Sequence, residues 1–300
     1  MKWVFACLPL ALAACGGGGE PAAIRVADLL TPAPASSGIG ELTAPVPVGA
    51  AGMTLVWSDE FDTPGLPDPR KWGHDTSRNR LGWFNNELQY YAASRPENAR
   101  VENGSLIITA RQERLTSAPD YGNQNYTSAR LITQGLASWT YGYFEVRAKL
   151  PCGLGTWPAI WMLGAGGRWP MDGEIDIMEQ KGASAADKRE VLGTLHTQAY
   201  NWSGGTLGVA QGASASLPSA CTSFNNYHLD WGANRIAIGI NGVNYFEFTK
   251  PANADYAQWP FDAPQFMILN LAIGGDLGGP VDNSQLPAVM EVDYVRVYQR

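Results

Sequence analysis

The chain has 300 residues, of which 45% are hydrophobic and 11% aromatic, so it can bury a sizeable core. Its net charge is −7 and it contains no basic run. This argues against a nucleic-acid partner, because Lys and Arg contacts to phosphate dominate such affinity. A neutral or weakly charged polymer is the more natural partner.

The N-terminus, MKWVFACLPLALAAC, has the features of an export signal: a basic start at Lys2, an apolar run and small residues at the end. The apolar run is too short for a transmembrane helix. Its ending, LAAC, resembles the lipobox of bacterial lipoproteins, in which cleavage before the cysteine is coupled to lipidation of its sulfur. We therefore predict a signal peptide at residues 1–14 and a lipid on Cys15. The alternative is an ordinary secretion signal with an incidental cysteine.

Residues 15–52 have the composition of a flexible linker. After Cys15 they open with GGGG and continue with prolines among Ala and Ser and few large apolar residues. Such a segment suits a tether that holds a domain away from a membrane. Residues 53–300 form one predicted domain. We expect an exported monomer, anchored to the bacterial cell envelope through the lipid or, without the lipid, secreted.

Two cysteines remain in this domain, Cys152 and Cys221. In an oxidising compartment two remaining cysteines often pair, and we predict a disulfide between them. The alternative is two buried free thiols, because a sequence does not reveal the distance between two cysteines.

Short strands separated by turns dominate the pattern from residue 53 onward. Residues 143–150 alternate, with Phe144, Val146, Ala148 and Leu150 on one face. Asn241-Gly242 and Asn103-Gly104 each lie between two such runs, which is a strong signal for a β-hairpin. Further runs lie at 55–58, 191–196, 227–231, 266–273 and 289–298. The pattern predicts an all-β fold, a jelly-roll sandwich of two antiparallel sheets.

Three acidic residues lie close together in GEIDIMEQ, residues 173–180. Glu174 and Asp176 are two residues apart, which places them on one face of a strand. Glu179 lies five residues beyond Glu174 and should point to the other face. A β-bulge, one extra residue in the strand, would return Glu179 to the face of the other two. We predict such a bulge, with Met178 or a neighbour as the inserted residue.

Acids gathered on one face suit glycoside hydrolysis by two carboxyl groups. One carboxylate attacks the anomeric carbon while the other, whose proton is held by neighbouring negative charge, protonates the leaving oxygen. A calcium cluster and an exposed acidic edge strand are the alternatives. Tryptophans 157, 161 and 169 precede the acids in GTWPAIWML and RWPMDG. Their flat faces suit packing on sugar rings, although Trp is also a normal core residue.

Several separated motifs, in order, resemble glycoside hydrolase family 16, most closely its laminarinase-like bacterial endo-β-1,3-glucanases. They are GWFNNELQYY, YGYFEVRAKLP, TWPAIWML, GEIDIMEQ, LHTQAYN and LNLAIGGDLGG. The resemblance implies a β-jelly-roll with a concave glucan cleft and hydrolysis with retention. It makes Glu174 the nucleophile, Asp176 its electrostatic partner and Glu179 the acid/base. The bulged E-x-D-x-x-E form is that of laminarinase-like members, whereas lichenases have the shorter E-x-D-x-E.

The resemblance also implies further site residues and no cofactor for catalysis. Matching positions predict substrate contacts for Asn86, Arg130, Trp157, Trp161, Trp169 and His196. From the residues alone, His196 could be a core histidine and Arg130 half of a structural ion pair. Many family members bind a structural calcium ion through two backbone carbonyls and one aspartate, and the matching positions are Glu60, Gly104 and Asp293. The alternative there is an ordinary strand aspartate and a turn glycine.

We therefore expect an exported endo-β-1,3-glucanase that acts on laminarin-like glucan. A second enzymatic interpretation keeps the mechanism but changes the substrate to mixed-linkage β-1,3-1,4-glucan or another β-linked polymer. An interpretation of another class is a glucan-binding surface lipoprotein without catalysis. Glu174 and Glu179 argue against this last possibility, because a binder has no need for a proton donor paired with a nucleophile.

Overall fold

The computed structural model describes residues 47–300. The predicted signal peptide, Cys15 and most of the predicted linker lie outside the described residues. In the part of the chain that the structure describes, no helix is both long enough and apolar enough to cross a membrane.

Strands supply nearly all of the regular structure in residues 47–300. In chain order they are β1 (Thr54–Asp59), β2 (Gly73–His74), β3 (Gln89–Tyr91), β4 (Ala99–Glu102), β5 (Ser105–Gln112), β6 (Tyr126–Ser128), β7 (Arg130–Ile132), β8 (Gly142–Lys149), β9 (Thr156–Gly164), β10 (Glu174–Glu179), β11 (Glu190–His196), β12 (Gln211–Ser216), β13 (Asn225–Gly232), β14 (Arg235–Ile240), β15 (Val243–Thr249), β16 (Gln265–Ile273) and β17 (Ala288–Gln299). One helical turn, α1, spans Gly275–Gly278, and short 3₁₀ turns span Val48–Ala50, Asp187–Arg189 and Asn283–Gln285.

The strands form two sheets, which confirms the predicted sandwich. The first sheet has the order β12-β11-β10-β9-β16-β7-β2 and is antiparallel throughout. The second follows β15-β14-β13-β8-β17-β5-β6-β3, with β1 on β17 and β4 on β5. One pair departs from the predicted antiparallel rule, because β3 and β6 run parallel. We call the first sheet the cleft sheet, because it contains β10 with its three acids.

The core lies between the two sheets and follows the alternation of each strand. On β8, Phe144, Val146 and Ala148 are fully buried, as the period-two pattern predicts. Met267 and Leu269 on β16 meet them from the cleft sheet in one continuous apolar cluster. Each large apolar side chain buried in this way contributes about 1.5–3 kcal/mol, so the inner faces fix which face of the cleft sheet remains outside.

Both predicted Asn-Gly turns are present. Asn241 (φ 51°) and Gly242 (φ 82°) join β14 to β15, and Asn103 (φ 53°) and Gly104 (φ 74°) join β4 to β5. A two-residue turn with positive φ at both positions matches the right-handed twist of the flanking strands, and Asn and Gly tolerate that conformation best.

The predicted disulfide is not formed. Cys152 is an exposed free thiol and Cys221 a half-buried one. The Cys221 Sγ points to two carbonyl oxygens, those of Pro151 and Lys188, each at 3.6 Å. Burial, followed by the adjacent Cys152 thiol, raises the pKa of Cys221 to about 12. The two cysteines are therefore neighbours, and burial keeps Cys221 a neutral thiol.

Candidate active site

Strand β10 contains the predicted bulge. Against β9, Asp176 pairs with Trp161 and Met178 pairs with Ile160, which leaves Ile177 as the extra residue. Ile177 and Met178 are both buried in the core between the sheets. Because two successive side chains turn inward, Glu174, Asp176 and Glu179 all lie on the outer face of the cleft sheet. The inserted residue is thus the neighbour of Met178 rather than Met178 itself.

The neighbouring strand β11 accommodates the bulge through a glycine. On that side Asp176 pairs with Thr194 and Glu179 with Leu192, so Gly193 faces the bulged residues. A Cβ atom on Gly193 would lie 2.7 Å from the hydroxyl oxygen of Tyr245 and 2.8 Å from Cγ2 of Ile238. Both distances are too short for a side chain, so the core under the bulge requires the glycine.

Glu174 lies at the start of β10 and is held from two sides. The indole Nε1 of Trp169 donates a hydrogen bond to Glu174 Oε2. The carboxyl oxygen of Glu174 also lies within 4.8 Å of ligand atoms of Asp176 and His196. Burial, followed by the Asp176 charge, raises the pKa of Glu174 to about 8, and its contacts with His196 and Trp169 oppose the rise.

Asp176 is the most buried of the three acids, with 2% of its surface exposed. Its Oδ2 lies 3.3 Å from Nε2 of His196 on β11. Burial and the charge of Glu179 raise the pKa of Asp176 well above its usual range. A protonated Asp176 is a hydrogen-bond donor, and Glu174 is within its reach. Asp176 and Glu174 therefore share a hydrogen bond within an acidic cluster that retains protons near neutral pH.

Glu179 is the last residue of β10, and it accepts a hydrogen bond from a second indole. Nε1 of Trp157 on β9 donates to Glu179 Oε1 at 2.9 Å. Burial, followed by the charge of Glu174, raises the pKa of Glu179 to about 7, and the indole hydrogen bond opposes part of that rise. A glutamic acid with this pKa retains its proton into the neutral range, which a general acid requires.

Trp169 lies on the loop between β9 and β10 and is 46% exposed, so a flat aromatic face borders Glu174. The loop is pinned by Asp172, whose carboxylate accepts from Nη2 of Arg168 at 2.7 Å and from the hydroxyl of Tyr256 at 2.9 Å. The hydrogen bond from the Arg168 side chain lowers the pKa of Asp172 to about 2, so the Asp172 carboxylate stays ionised. Neither Arg168 nor Asp172 was singled out in the sequence.

Arg130 and Trp161 form the next part of the cleft face. The Arg130 guanidinium lies 4.7 Å from the ring centre of Trp161 and 5.1 Å from that of Trp83. It also pairs with Asp75 at 3.0 Å, so the alternative of a structural ion pair holds alongside the position in the cleft. Trp161 Nε1 donates to Asn270 Oδ1 at 2.7 Å on β16. Both predicted tryptophans of β9 thus face the cleft rather than the core.

Asn86 lies at the rim, exposed, and its amide donates to Asp276 Oδ1 at 2.7 Å. This bond joins the loop before β3 to α1. Gly275 in α1 lies close to Trp157 and Glu87. A Cβ atom on Gly275 would be 3.2 Å from Trp157 and 3.3 Å from Glu87. The predicted residue Asn86 therefore contacts the wall behind Trp157 rather than the acids themselves.

Glu87 and Asn270 are site residues that sequence reasoning left out. Glu87 accepts from Gln89 at 2.7 Å and from the hydroxyl of Tyr91 at 3.2 Å, and its charge raises the pKa of Glu179. Asn270 donates to the same Tyr91 hydroxyl at 3.0 Å. Glu87 was visible in WFNNELQYY and Asn270 in LNLAIGG, where a polar residue interrupts an apolar strand; that interruption was the available signal.

A cavity of about 190 Å³ opens beside Trp169 on the same face. It is lined by Asp75, Arg130, Gln134, Leu163, Gly164, Gly167, Arg168, Trp169, Asp172, Gly173 and Phe266. The lining combines the aromatic rings of Trp169 and Phe266 with the hydrogen-bonding side chain of Gln134 and with charged side chains of both signs. Such a lining suits a neutral polyhydroxylated ligand better than a charged one.

The three predicted calcium positions come together on the second sheet. β1 pairs with β17 up to Asp59–Val295, and β5 begins its pairing with β17 at Leu106–Val292, so Asp293 lies in the gap between them. Glu60 and Gly104 border that gap. Two backbone carbonyls and one carboxylate suit a hard cation. The Asp293 carboxylate already accepts from Arg147, however, and the Glu60 carboxylate from Arg296, so an ion would compete with Arg147.

The arrangement can perform two-step transfer chemistry. Two carboxyl groups share a face, each is hydrogen-bonded by an indole, and a third acid lies between them. Ligand atoms of Glu174, Asp176 and His196 are close enough to hold a metal ion. A metal centre would not need the separate indole bond to Glu179, so the pair is better explained as nucleophile and proton donor.

Comparison with known proteins gives a consistent result. The family model of glycosyl hydrolases family 16 matches residues 86–296. A β-glucanase of Rhodothermus marinus is 49% identical over 257 residues, which cover 82% of this chain and 85% of that protein. The crystal structure of a non-specific endo-β-1,3(4)-glucanase is 52% identical with a TM-score of 0.78, covering 85% of this chain and 93% of that chain. A β-1,3-glucan-binding protein of Penaeus monodon is 33% identical over 51% of this chain and 48% of that protein.

Proposed function

This chain belongs to glycoside hydrolase family 16, and on that premise we propose that it cleaves β-1,3-glucan internally with net retention of configuration. The observation that carries the proposal is the bulge in β10, which brings Glu174 and Glu179 to one face of the cleft sheet. The indole bonds of Trp169 to Glu174 and of Trp157 to Glu179 support separate roles for the two acids.

In the first step, the Glu174 carboxylate attacks the anomeric carbon as the bond to the leaving sugar breaks. Glu179 gives its proton to the departing glycosidic oxygen, and a covalent glycosyl ester with inverted configuration remains on Glu174. Asp176 is the electrostatic partner of Glu174 on the same face of β10. In the second step, Glu179 removes a proton from water, the water oxygen attacks the anomeric carbon and Glu174 departs. The second inversion restores the β configuration.

Proton NMR of the earliest products tests the proposal. Purified protein on laminarin should release the β anomer first, before mutarotation. The variants Glu174→Gln and Glu179→Gln should each lose turnover while circular dichroism shows an intact fold. An initial α anomer, or undiminished turnover in either variant, would contradict the mechanism.

Mixed-linkage β-1,3-1,4-glucan is the second candidate substrate. The broader activity of the endo-β-1,3(4)-glucanase reported above supports this alternative, since the two proteins are 52% identical over the part that covers 85% of this chain. Initial rates on laminarin, lichenan and agar, measured side by side, separate the possibilities. A higher kcat/KM on lichenan than on laminarin would assign the chain to mixed-linkage glucan.

The non-catalytic interpretation has one supporting observation, the likeness of part of the chain to a glucan-binding protein. It predicts that laminarin raises the melting temperature of the protein while no reducing ends are released. Measuring both quantities on the same preparation decides between binder and enzyme.

We also propose a structural calcium ion between Glu60, Gly104 and Asp293. Calcium should raise the melting temperature and EDTA should lower it, whereas Asp293→Asn should abolish the difference. Equal melting temperatures in calcium and EDTA would remove the ion from the proposal.

Export, lipidation and the monomeric state remain proposals that rest on the N-terminal sequence and on the substrate class. A polymer too large to enter a cell is most readily attacked at the envelope. Mass spectrometry of the mature N-terminus should find a diacylglyceryl group on Cys15. Light scattering of residues 53–300 should give the mass of one chain.

A further inference from the structure

Lys188 is buried, with 4% of its surface exposed, and none of the ion pairs within residues 47–300 includes it. Its ammonium donates instead to three neutral oxygens: the carbonyl of Thr156 at 2.8 Å, the hydroxyl of Thr156 at 2.7 Å and Oε1 of Gln180 at 3.2 Å. These bonds use all three donors of an ammonium group. Because burying an uncompensated charge costs several kcal/mol, space filling alone does not explain a lysine there.

The two residues joined by the ammonium are the chain neighbours of a catalytic hydrogen bond. Thr156 immediately precedes Trp157, and Gln180 immediately follows Glu179. Trp157 Nε1 donates to Glu179 Oε1 at 2.9 Å. The ammonium therefore links the backbone that carries the indole donor to the backbone that carries the acid/base.

This link lies at the end of one strand and the start of the other. β10 ends at Glu179 and β9 begins at Thr156, so both residues are terminal in their strands. Gln180 is fully buried, and its amide Nε2 donates back to the Lys188 carbonyl at 3.1 Å. Two-way bonding between Gln180 and Lys188 fixes the rotamer of each, which restricts the direction in which Glu179 leaves the strand.

We propose that Lys188 is a positioning residue for the acid/base Glu179, acting through Thr156 and Gln180. The inference rests on the proposed function, since it needs Glu179 to donate the proton to the leaving group. The Lys188 ammonium makes its hydrogen bonds to Thr156 and Gln180 and none to the three acids. Its removal should weaken proton donation more than it weakens binding or nucleophilic attack.

The leaving group of the substrate reports on this role. A sugar leaving group in laminarin needs a proton from Glu179, whereas a dinitrophenolate in an aryl β-laminaribioside departs without one. Lys188→Met should lower kcat on laminarin by about tenfold, part of the roughly 10²–10⁴-fold that a general acid supplies, with KM little changed. On the aryl substrate the loss of kcat/KM, which reports the first step alone, should be below about threefold, because nucleophilic attack is untouched.

Three further variants make the result decisive. Lys181→Met removes a lysine next to Gln180 but outside the three hydrogen bonds, and both substrates should be turned over as by the wild type. Gln180→Met removes the link from its other side and should reproduce the Lys188→Met pattern. Glu179→Gln should show the same preference for the aryl substrate, more strongly.

Each outcome has one meaning. The proposal is overturned if folded Lys188→Met and Gln180→Met keep wild-type kinetics on laminarin or slow both substrates equally. It is also overturned if neither variant folds, since the cluster then serves stability. If Glu179→Gln itself fails to discriminate between the substrates, the proposed role of Glu179 is wrong, which is a separate failure.

Discussion

Glu174 and Glu179 lie on the same face of β10 although five residues separate them, because Ile177 and Met178 both turn into the core. A regular strand of this sequence would place one of the two acids between the sheets. There it would need a partner in an apolar environment, at a cost of several kcal/mol. The bulge therefore converts an odd spacing into a pair of acids that face one substrate.

The glycine opposite the bulge gives the first prediction. Gly193→Ala should lower the free energy of unfolding by about 1–3 kcal/mol, because the new Cβ would lie 2.7 Å from the Tyr245 hydroxyl. It should also lower kcat by displacing β10. Gly73→Ala on β2 is the matched control, since its Cβ would meet Ile132 at an ordinary 3.6 Å. Urea unfolding and laminarin kinetics of both variants check this, and equal stabilities would contradict the tight packing.

Trp157→Phe tests the indole bond to Glu179. The bond lowers the pKa of Glu179, so its loss should raise that pKa and move the alkaline limb of the pH profile of kcat/KM upward. We expect kcat/KM at the optimum to fall by roughly tenfold, since a hydrogen bond to a charged group contributes about 1.5–3 kcal/mol.

Trp161→Phe serves as the control for this experiment. It also loses an indole hydrogen bond, but to Asn270 rather than to an acid. Its alkaline limb should stay in place. A shift in both variants, or in neither, would mean that the Trp157 bond does not set the protonation of Glu179.

Local pattern was enough to predict the sandwich and the bulge. The alternation on β8 and the Asn-Gly turns depend only on residues that are close in sequence. They can therefore be predicted without knowledge of the fold. The spacing of Glu174 and Glu179 predicts the bulge for the same reason. The prediction named Met178 or a neighbour as the inserted residue, and the pairing of β10 with β9 shows that it is Ile177.

Contacts between distant segments could not be predicted. The bond of Asn270 to Trp161 joins residues 109 positions apart, and the three bonds of Lys188 depend on where a 3₁₀ turn crosses the strand ends. The disulfide prediction was wrong for the same reason, because it concerned two residues that are distant in sequence. Cys152 and Cys221 are brought together by the fold, but side-chain direction determines whether two neighbouring thiols bond.

Trp169 combines two roles that can be separated by substitution. Its exposed face borders the cavity, and its indole donates to Glu174. Trp169→Phe keeps an aromatic face, so KM should change by less than about threefold while kcat falls, because the donor to Glu174 is lost. Trp169→Ala should additionally raise KM by up to roughly tenfold, since packing on an aromatic face is worth about 0.5–1.5 kcal/mol.

Steady-state kinetics on laminarin with both variants check the separation. Tyr256→Phe removes one bond to Asp172 without changing the Trp169 side chain. It should loosen the loop and raise KM slightly, by less than Trp169→Ala. An unchanged KM in Trp169→Ala would exclude Trp169 from substrate binding.

The raised pKa of Glu174 makes a prediction about stability. Its folded pKa, about 8, lies above the usual 4.5, so the folded state binds a proton that the unfolded state has lost between these values. Stability from this group is therefore complete below pH 4.5 and is lost as pH rises toward 8. Glu174→Gln cannot titrate, so relative to the wild type it should gain stability over that range.

We expect Glu174→Gln to match the wild-type melting temperature at pH 4.5 and to exceed it by at least about 3 °C at pH 8. Partial contact of Glu174 with solvent in the cleft keeps the gain below what the full shift would give. Glu190→Gln on β11 controls for the loss of one negative charge and should show no such pH-dependent gain. Scanning calorimetry of the three proteins at both pH values decides. A gain that is equal at the two pH values would mean that burial in the cleft does not raise the pKa of Glu174.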